Sequence, residues 1–155
     1  MTRSPHNPTD LSDEELVAHL VELHGDDGPG TEQWAGLLAD PRDGPVQVVY
    51  LVNFRDSATT PDAEGNQRSG MQAFFTAGLA IRQVIDDVGG EPKLGGFVTG
   101  DPTGEGWDYI GAARYPSPRA LVQLWLDDRY IAAGDDRRAG TAAHRVFFTR
   151  PLDVS

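Results

Sequence analysis

The chain has 155 residues, no cysteine and a formal charge of −11. That length suits one ordinary domain with its own core, the missing thiols exclude thiolate nucleophiles, thiolate metal sites and disulfides, and the acidic balance argues against nucleic acid as a partner. The charge is uneven: residues 1–44 carry ten acids against two arginines, and residues 45–155 carry fourteen against eleven bases.

The start, "MTRSPHNPTD", has no apolar leader, and no later window is long and apolar enough for a membrane span, so a cytoplasmic protein with no membrane partner is expected. Ser12 and Glu15 form a capping box ahead of Leu16, Leu20 and Leu23, which predicts a helix from Asp13 to His24. "GDDGPG" breaks it, and "TEQWAGLLAD" predicts a shorter helix ending before Pro41, with Trp34 as its packing anchor. His19 and His24 are five residues apart, not the four that would put two ligands on one helical face, so no metal site is expected. Residues 1–44 thus read as an acidic helical extension, and residues 45–155 as the main domain.

"VQVVYLVNF" is an apolar, β-branched run between a proline and a polar loop, the pattern of a strand buried on both faces. The next fifteen residues, "RDSATTPDAEGNQRS", lack periodicity, and that length predicts a lid or a disordered excursion. Met71, Phe74, Phe75, Gly78, Ile81, Ile85 and Val88 recur at three and four, predicting a long helix stopped by Gly89-Gly90. "LGGFVTG" is a second strand and "DPTGEG" a hairpin loop, which lacks the lysine and following helix of a phosphate cradle. Trp107 to Tyr115 form a third strand. Ser117 and Pro118 open a helix with Ala120, Leu121, Leu124 and Trp125 inward, and "HRVFFTR" is the fourth strand.

This βαββαβ order predicts an α+β, ferredoxin-like four-stranded antiparallel sheet in the spatial order 4-1-3-2, with extra N-terminal helices. Strand one is apolar on both faces, whereas two helices cover one side. Either the N-terminal helices or a second copy must cover the other, and the second copy makes a homodimeric α/β barrel.

"PVQVVYLVNFR" at 45–55, the "GG" at 89–90 and "WDYIGAARYPSPRALVQLWLDDRYIAAGDDR" at 107–137 resemble the domain-of-unknown-function family 1330, of the dimeric α/β-barrel superfamily. The resemblance spans residues 45–151 and implies the ferredoxin-like dimer. Members often carry an asparagine in mid-strand one and a lysine near its end; Tyr50 and Asn53 stand there in this chain, so those roles do not carry over. The superfamily's cofactor-free monooxygenases, cyclases and isomerases, its haem-degrading enzymes and its plain ligand binders set the range of functions implied.

Taking strands one and three to run in the same direction gathers Asn53, Arg55, Lys93, Arg114 and His144 at one cationic edge, suited to an anionic small molecule. His144 is the candidate general acid or base and Tyr50 a catalytic hydroxyl. Asn53, Arg55, Arg114, Trp107, Tyr109 and Gly111 are candidate substrate-binding residues. The small run Gly111, Ala112, Ala113 predicts a hollow beside Tyr50. The expected function is a small-molecule enzyme without metal or nucleotide cofactor, an isomerase, cyclase or cofactor-free oxygenase acting on a small organic acid or natural-product intermediate. The alternatives are a non-catalytic ligand-binding or stress-related accessory protein and, on the strength of His144 alone, a haem binder.

Overall fold

The computed structural model describes residues 10–100 and 106–152; the polar start and most of the glycine-rich loop, at 101–105, lie outside the described residues. Its elements are helices α1 (Asp13–His24) and α2 (Thr31–Ala39), strand β1 (Val46–Phe54), helix α3 (Gly70–Asp87), strands β2 (Glu91–Phe97) and β3 (Tyr109–Tyr115), helices α4 (Pro118–Leu126) and α5 (Asp128–Gly140), and strand β4 (Thr141–Thr149). No described helix is long and apolar enough to cross a membrane.

Local chemistry explains the boundaries. The Ser12 and Glu15 side chains reciprocally accept backbone N–H groups, so α1 starts where two otherwise unpaired donors find partners. Ser69 and Gln72 do the same for α3. Ser117 caps α4 ahead of Pro118, whose missing N–H costs nothing in a first helical turn. Asp127 then ends α4 and accepts the Arg129 N–H at 2.8 Å to start α5, so the region after Ser117 is two helices, not one.

The sheet runs β2-β3-β1-β4, and every neighbouring pair is antiparallel. The spatial order matches the expectation; the direction of β3 does not. A strand, crossover and hairpin sequence reverses β3 relative to β1, so the C-terminal end of β1 meets the N-terminal ends of β3 and β4. Cross-strand partners share a face. One face therefore carries Val46, Val48, Tyr50, Val52 and Phe54 with Tyr109, Gly111, Ala113, Tyr115, His144, Val146 and Phe148. The other carries Val49, Leu51, Ile110, Ala112 and Phe147.

All the helices in the core pack on the first face. Leu16, Leu20, Trp34 and Leu37 of the N-terminal helices share one core with Val46, Val48, Tyr115, Leu121, Leu124 and Trp125. Trp34 is fully buried, with its ring 4.9 Å from Phe148 and 5.8 Å from Trp125. The two N-terminal helices therefore share the main core, and no described helix of that core lies on the opposite sheet face.

The segment 56–69 is ordered rather than an excursion. A helix leaves its last carbonyls without internal partners; at the end of α5 the Arg55 and Thr59 N–H groups donate to the Gly140 and Ala139 carbonyls at 2.9 and 3.0 Å. Arg68, 8% exposed, anchors the return by donating to the Thr60 carbonyl and hydroxyl and to Asp136 at 2.7 Å. Gly70 and Gly140 let α3 and α5 touch here, because a Cβ on Gly70 would collide with backbone atoms of Arg55 and Gly140.

Candidate functional site

Between α3, α5 and the first sheet face lies a cavity of about 220 Å³. Its apolar wall includes Val48 and Val52 of the sheet and Phe74, Phe75, Ile81 and Ile85 of α3. Its polar lining comes mainly from α5, β4 and the turn after α1: Tyr130, Arg137, Thr141, His144 and Asp27. A mostly apolar enclosure with few polar groups is the usual make-up of a small-ligand site.

The small run of β3 has an occupant. Gly111 lies opposite Tyr50 on β1 and Gly95 on β2, and a Cβ at Gly111 would collide with the Tyr50 ring. A Cβ at Gly95 would stand 2.6 Å from the Tyr109 hydroxyl. Neither glycine has positive φ, so their role is space rather than backbone conformation. The two tyrosines stack with ring centres 6.2 Å apart. The predicted hollow at Gly111 is thus filled by Tyr50, and the cavity opens beyond that ring, over Ala113. Burial first, then Tyr109, pushes the Tyr50 hydroxyl well above its ordinary range, so it stays protonated.

Arg137 reaches inward from α5. Its Nη2 donates to the Asp27 carboxylate at 2.9 Å, its Nη1 to the Tyr130 hydroxyl at 3.3 Å, and its guanidinium lies over the rings of Trp125 and Tyr130 at 5.7 and 5.5 Å. Asp27 also accepts from Arg138 at 3.2 Å. Beneath this pair the His24 Nε2–H donates to the Trp125 carbonyl at 2.7 Å. Gly28 permits the turn, since a Cβ there would meet His24 at 2.8 Å and Trp125 at 3.1 Å. His144 is half-buried on β4 and lies below the ordinary histidine pKa of 6.5; burial is the main cause, with Arg137 and Arg145 lowering it further and Asp27 opposing them. It is accordingly neutral near pH 7, able to accept a proton.

Of the residues nominated from sequence, His144, Tyr50 and Tyr109 line this cavity, and Gly111 makes room for Tyr50. The others do not join them. Because β1 and β3 are antiparallel, the expected cationic edge divides: Arg114 pairs with Gln47 and Glu91 at the opposite end of the sheet from Asn53, Arg55 and His144. Lys93, at Arg114's end, is an exposed partner of Glu91 at 2.8 Å. Asn53 sits on the open face, Arg55 is exposed and contributes its backbone, and Trp107 lies under the Arg145 guanidinium at 6.0 Å. Sequence reasoning missed Asp27, Tyr130, Arg137 and Thr141. "DDRY" entered only as part of the family resemblance, and nothing local around Asp27 or Arg137 announces a partner 110 residues away.

No protein-family model matches the chain, and no curated protein matches it. Similar solved structures include two crystal structures of one protein of unknown function from Rhodopseudomonas palustris, one of them of the methylated protein. Each is 29% identical to this chain; they cover 84% and 82% of it and 97% of the other chain, with TM-scores of 0.71 and 0.69. They share the fold, and their function is unknown.

The histidines give a pH prediction. His24 and His144 both lie below their ordinary value of 6.5, so as pH falls the unfolded chain takes up protons before the native one does. Stability from these groups is intact above about pH 6.5 and declines as pH drops through the lower native values. Chemical denaturation at about pH 7.5 and 5.5 should show this loss, and His144→Asn should make the decline shallower.

Proposed function

We propose that the chain is a small-molecule enzyme of the cofactor-independent isomerase, cyclase or oxygenase type, built as a ferredoxin-like, family-1330-type homodimer. The observation that carries it is the half-buried His144 lining a mostly apolar cavity together with the Asp27–Arg137 ion pair. A base whose pKa lies somewhat below working pH is unprotonated and ready to take a proton from a bound substrate. Tyr50, held as a hydroxyl, would orient that substrate, and the apolar wall would exclude competing water.

A non-catalytic ligand-binding role is the second reading. It is favoured by how many of the polar side chains lining the cavity are already engaged: Asp27 with Arg137, and the Tyr130 hydroxyl with the same guanidinium. His144→Ala separates the two. For an enzyme, turnover of an identified substrate should fall about 100-fold or more, and the wild-type rate should rise with pH along a limb centred below 6.5. For a binder, the variant should keep its affinity and there is no turnover to lose.

The dimer is supported by the open sheet face. Val49, Leu51, Ile110 and the buried Ala112 lie there beside Phe147 and Leu94, which are 47% and 52% exposed, and the main core cluster draws no described residue from this face. An apolar sheet face of this kind is covered in stable proteins, and a two-fold pairing places the same patch on both sides. Sedimentation should give a dimer, and Leu51→Arg should shift it to a monomer that retains its helical circular dichroism. A wild-type chain that sediments as a monomer at micromolar concentration contradicts the barrel.

A further inference from the structure

Thr141 provides the observation. β4 pairs regularly with β1 through Val52↔His144 and Asn53↔Ala143, but Phe54 then pairs with Thr141. Ala142 is the extra residue of a bulge. In a regular strand residues three apart point to opposite faces, whereas this bulge brings Thr141 and His144 to the same face, both lining the cavity. Thr141 is 9% exposed and its Oγ1 has no hydrogen-bond partner. An unpaired buried hydroxyl is costly, and one carried by a residue that lines a cavity offers a contact to something bound there once the side chain rotates.

Charge decides what that something is. Arg137 is the cation lining the cavity, and Asp27 already holds it while also accepting from Arg138. An anionic group at Arg137 would have to displace Asp27 or lie beside it, placing two like charges in a poorly solvated site. A cationic group would meet the guanidinium. The remaining wall is aliphatic and aromatic. An apolar cavity of about 150 Å³ takes up benzene, so about 220 Å³ accommodates a one- or two-ring molecule.

We propose that Thr141 hydrogen-bonds the oxygen of an uncharged, ring-sized ligand carrying a hydroxyl or carbonyl group, and that Asp27 rejects carboxylates by keeping Arg137 engaged. This assignment rests on the reading of the cavity as a small-molecule site, and it replaces the anionic ligand expected from a cationic edge. It also gives the acidic N-terminal extension a part in the site, because the residue that sets its charge preference comes from the turn after α1.

Calorimetric titration of the whole chain at neutral pH with 2-naphthol, 2-naphthoate and naphthalene tests it. Wild-type protein should bind 2-naphthol and bind 2-naphthoate at least about tenfold more weakly, since the carboxylate finds no unpaired cation. Thr141→Val should weaken 2-naphthol by about three- to tenfold and leave naphthalene unchanged, the signature of one lost hydrogen bond. Asp27→Asn, which releases Arg137, should raise affinity for 2-naphthoate. Should Asp27→Asn fail to fold, the wild-type comparison and Thr141→Val decide. If 2-naphthoate binds the wild type as tightly as 2-naphthol, or Thr141→Val weakens naphthalene and 2-naphthol alike, the ligand class is wrong and the cavity remains a site. If none of the three probes binds, the class and the cavity's role as a ligand site fall together.

Discussion

The arrangement depends on a partly buried ion pair. Arg137 lies over the rings of Trp125 and Tyr130, and a guanidinium largely withdrawn from water requires a matched counter-charge. Asp27 provides it from 110 residues away, with its side chain 15% exposed against 20% for Arg137. To reach Arg137, the chain after α1 must close against Trp125, and Gly28 is the residue that lets it pass. That closure places α1 and α2, lets Trp34 fill the space beside Trp125 and Phe148, and makes the inward residues of both helices part of the core. The same two charges act on His144 in opposite directions. One contact thereby joins the placement of the extension, the sealing of the cavity and the electrostatics of its candidate base.

The sheet serves two different environments. On one face α3 and α5 are drawn together at Gly70 and Gly140, while Gly78 and Ala133 on those helices and Ala113 on the sheet leave space between layers that are otherwise packed densely. The cavity is that space. On the opposite face no described helix of the core intervenes, and Leu94 and Phe147 remain exposed. A cavity and a partly exposed apolar face are thus the two sides of the same four strands.

Much of the fold was legible because local rules govern it. β1 runs from Val46 to Phe54 as its β-branched run predicts, and the Ser12–Glu15 and Ser117–Pro118 caps open their helices as their chemistry requires. Helix α5 was not legible, since "DRYIAAGDDRRAG" is polar and glycine-interrupted; its order comes from packing on α3 and from carbonyls capped by the loop after β1. That loop lacked periodicity because one buried arginine, rather than an apolar stripe, holds it. In the site, His144, Tyr50 and Tyr109 could be nominated from residue type and strand position. The cationic edge could not survive the antiparallel direction of β3, and Thr141 was hidden by a bulge that alternation cannot reveal.

A double-mutant cycle on Asp27→Asn and Arg137→Gln, read by chemical denaturation, tests the ion pair directly. Either change alone leaves a buried polar or charged partner unmatched, so each single variant should be strongly destabilised. The double variant should recover about 1 kcal/mol or more relative to the sum of the two. Additive effects would mean that the two side chains are not energetically coupled, and the extension would lose its place in the site.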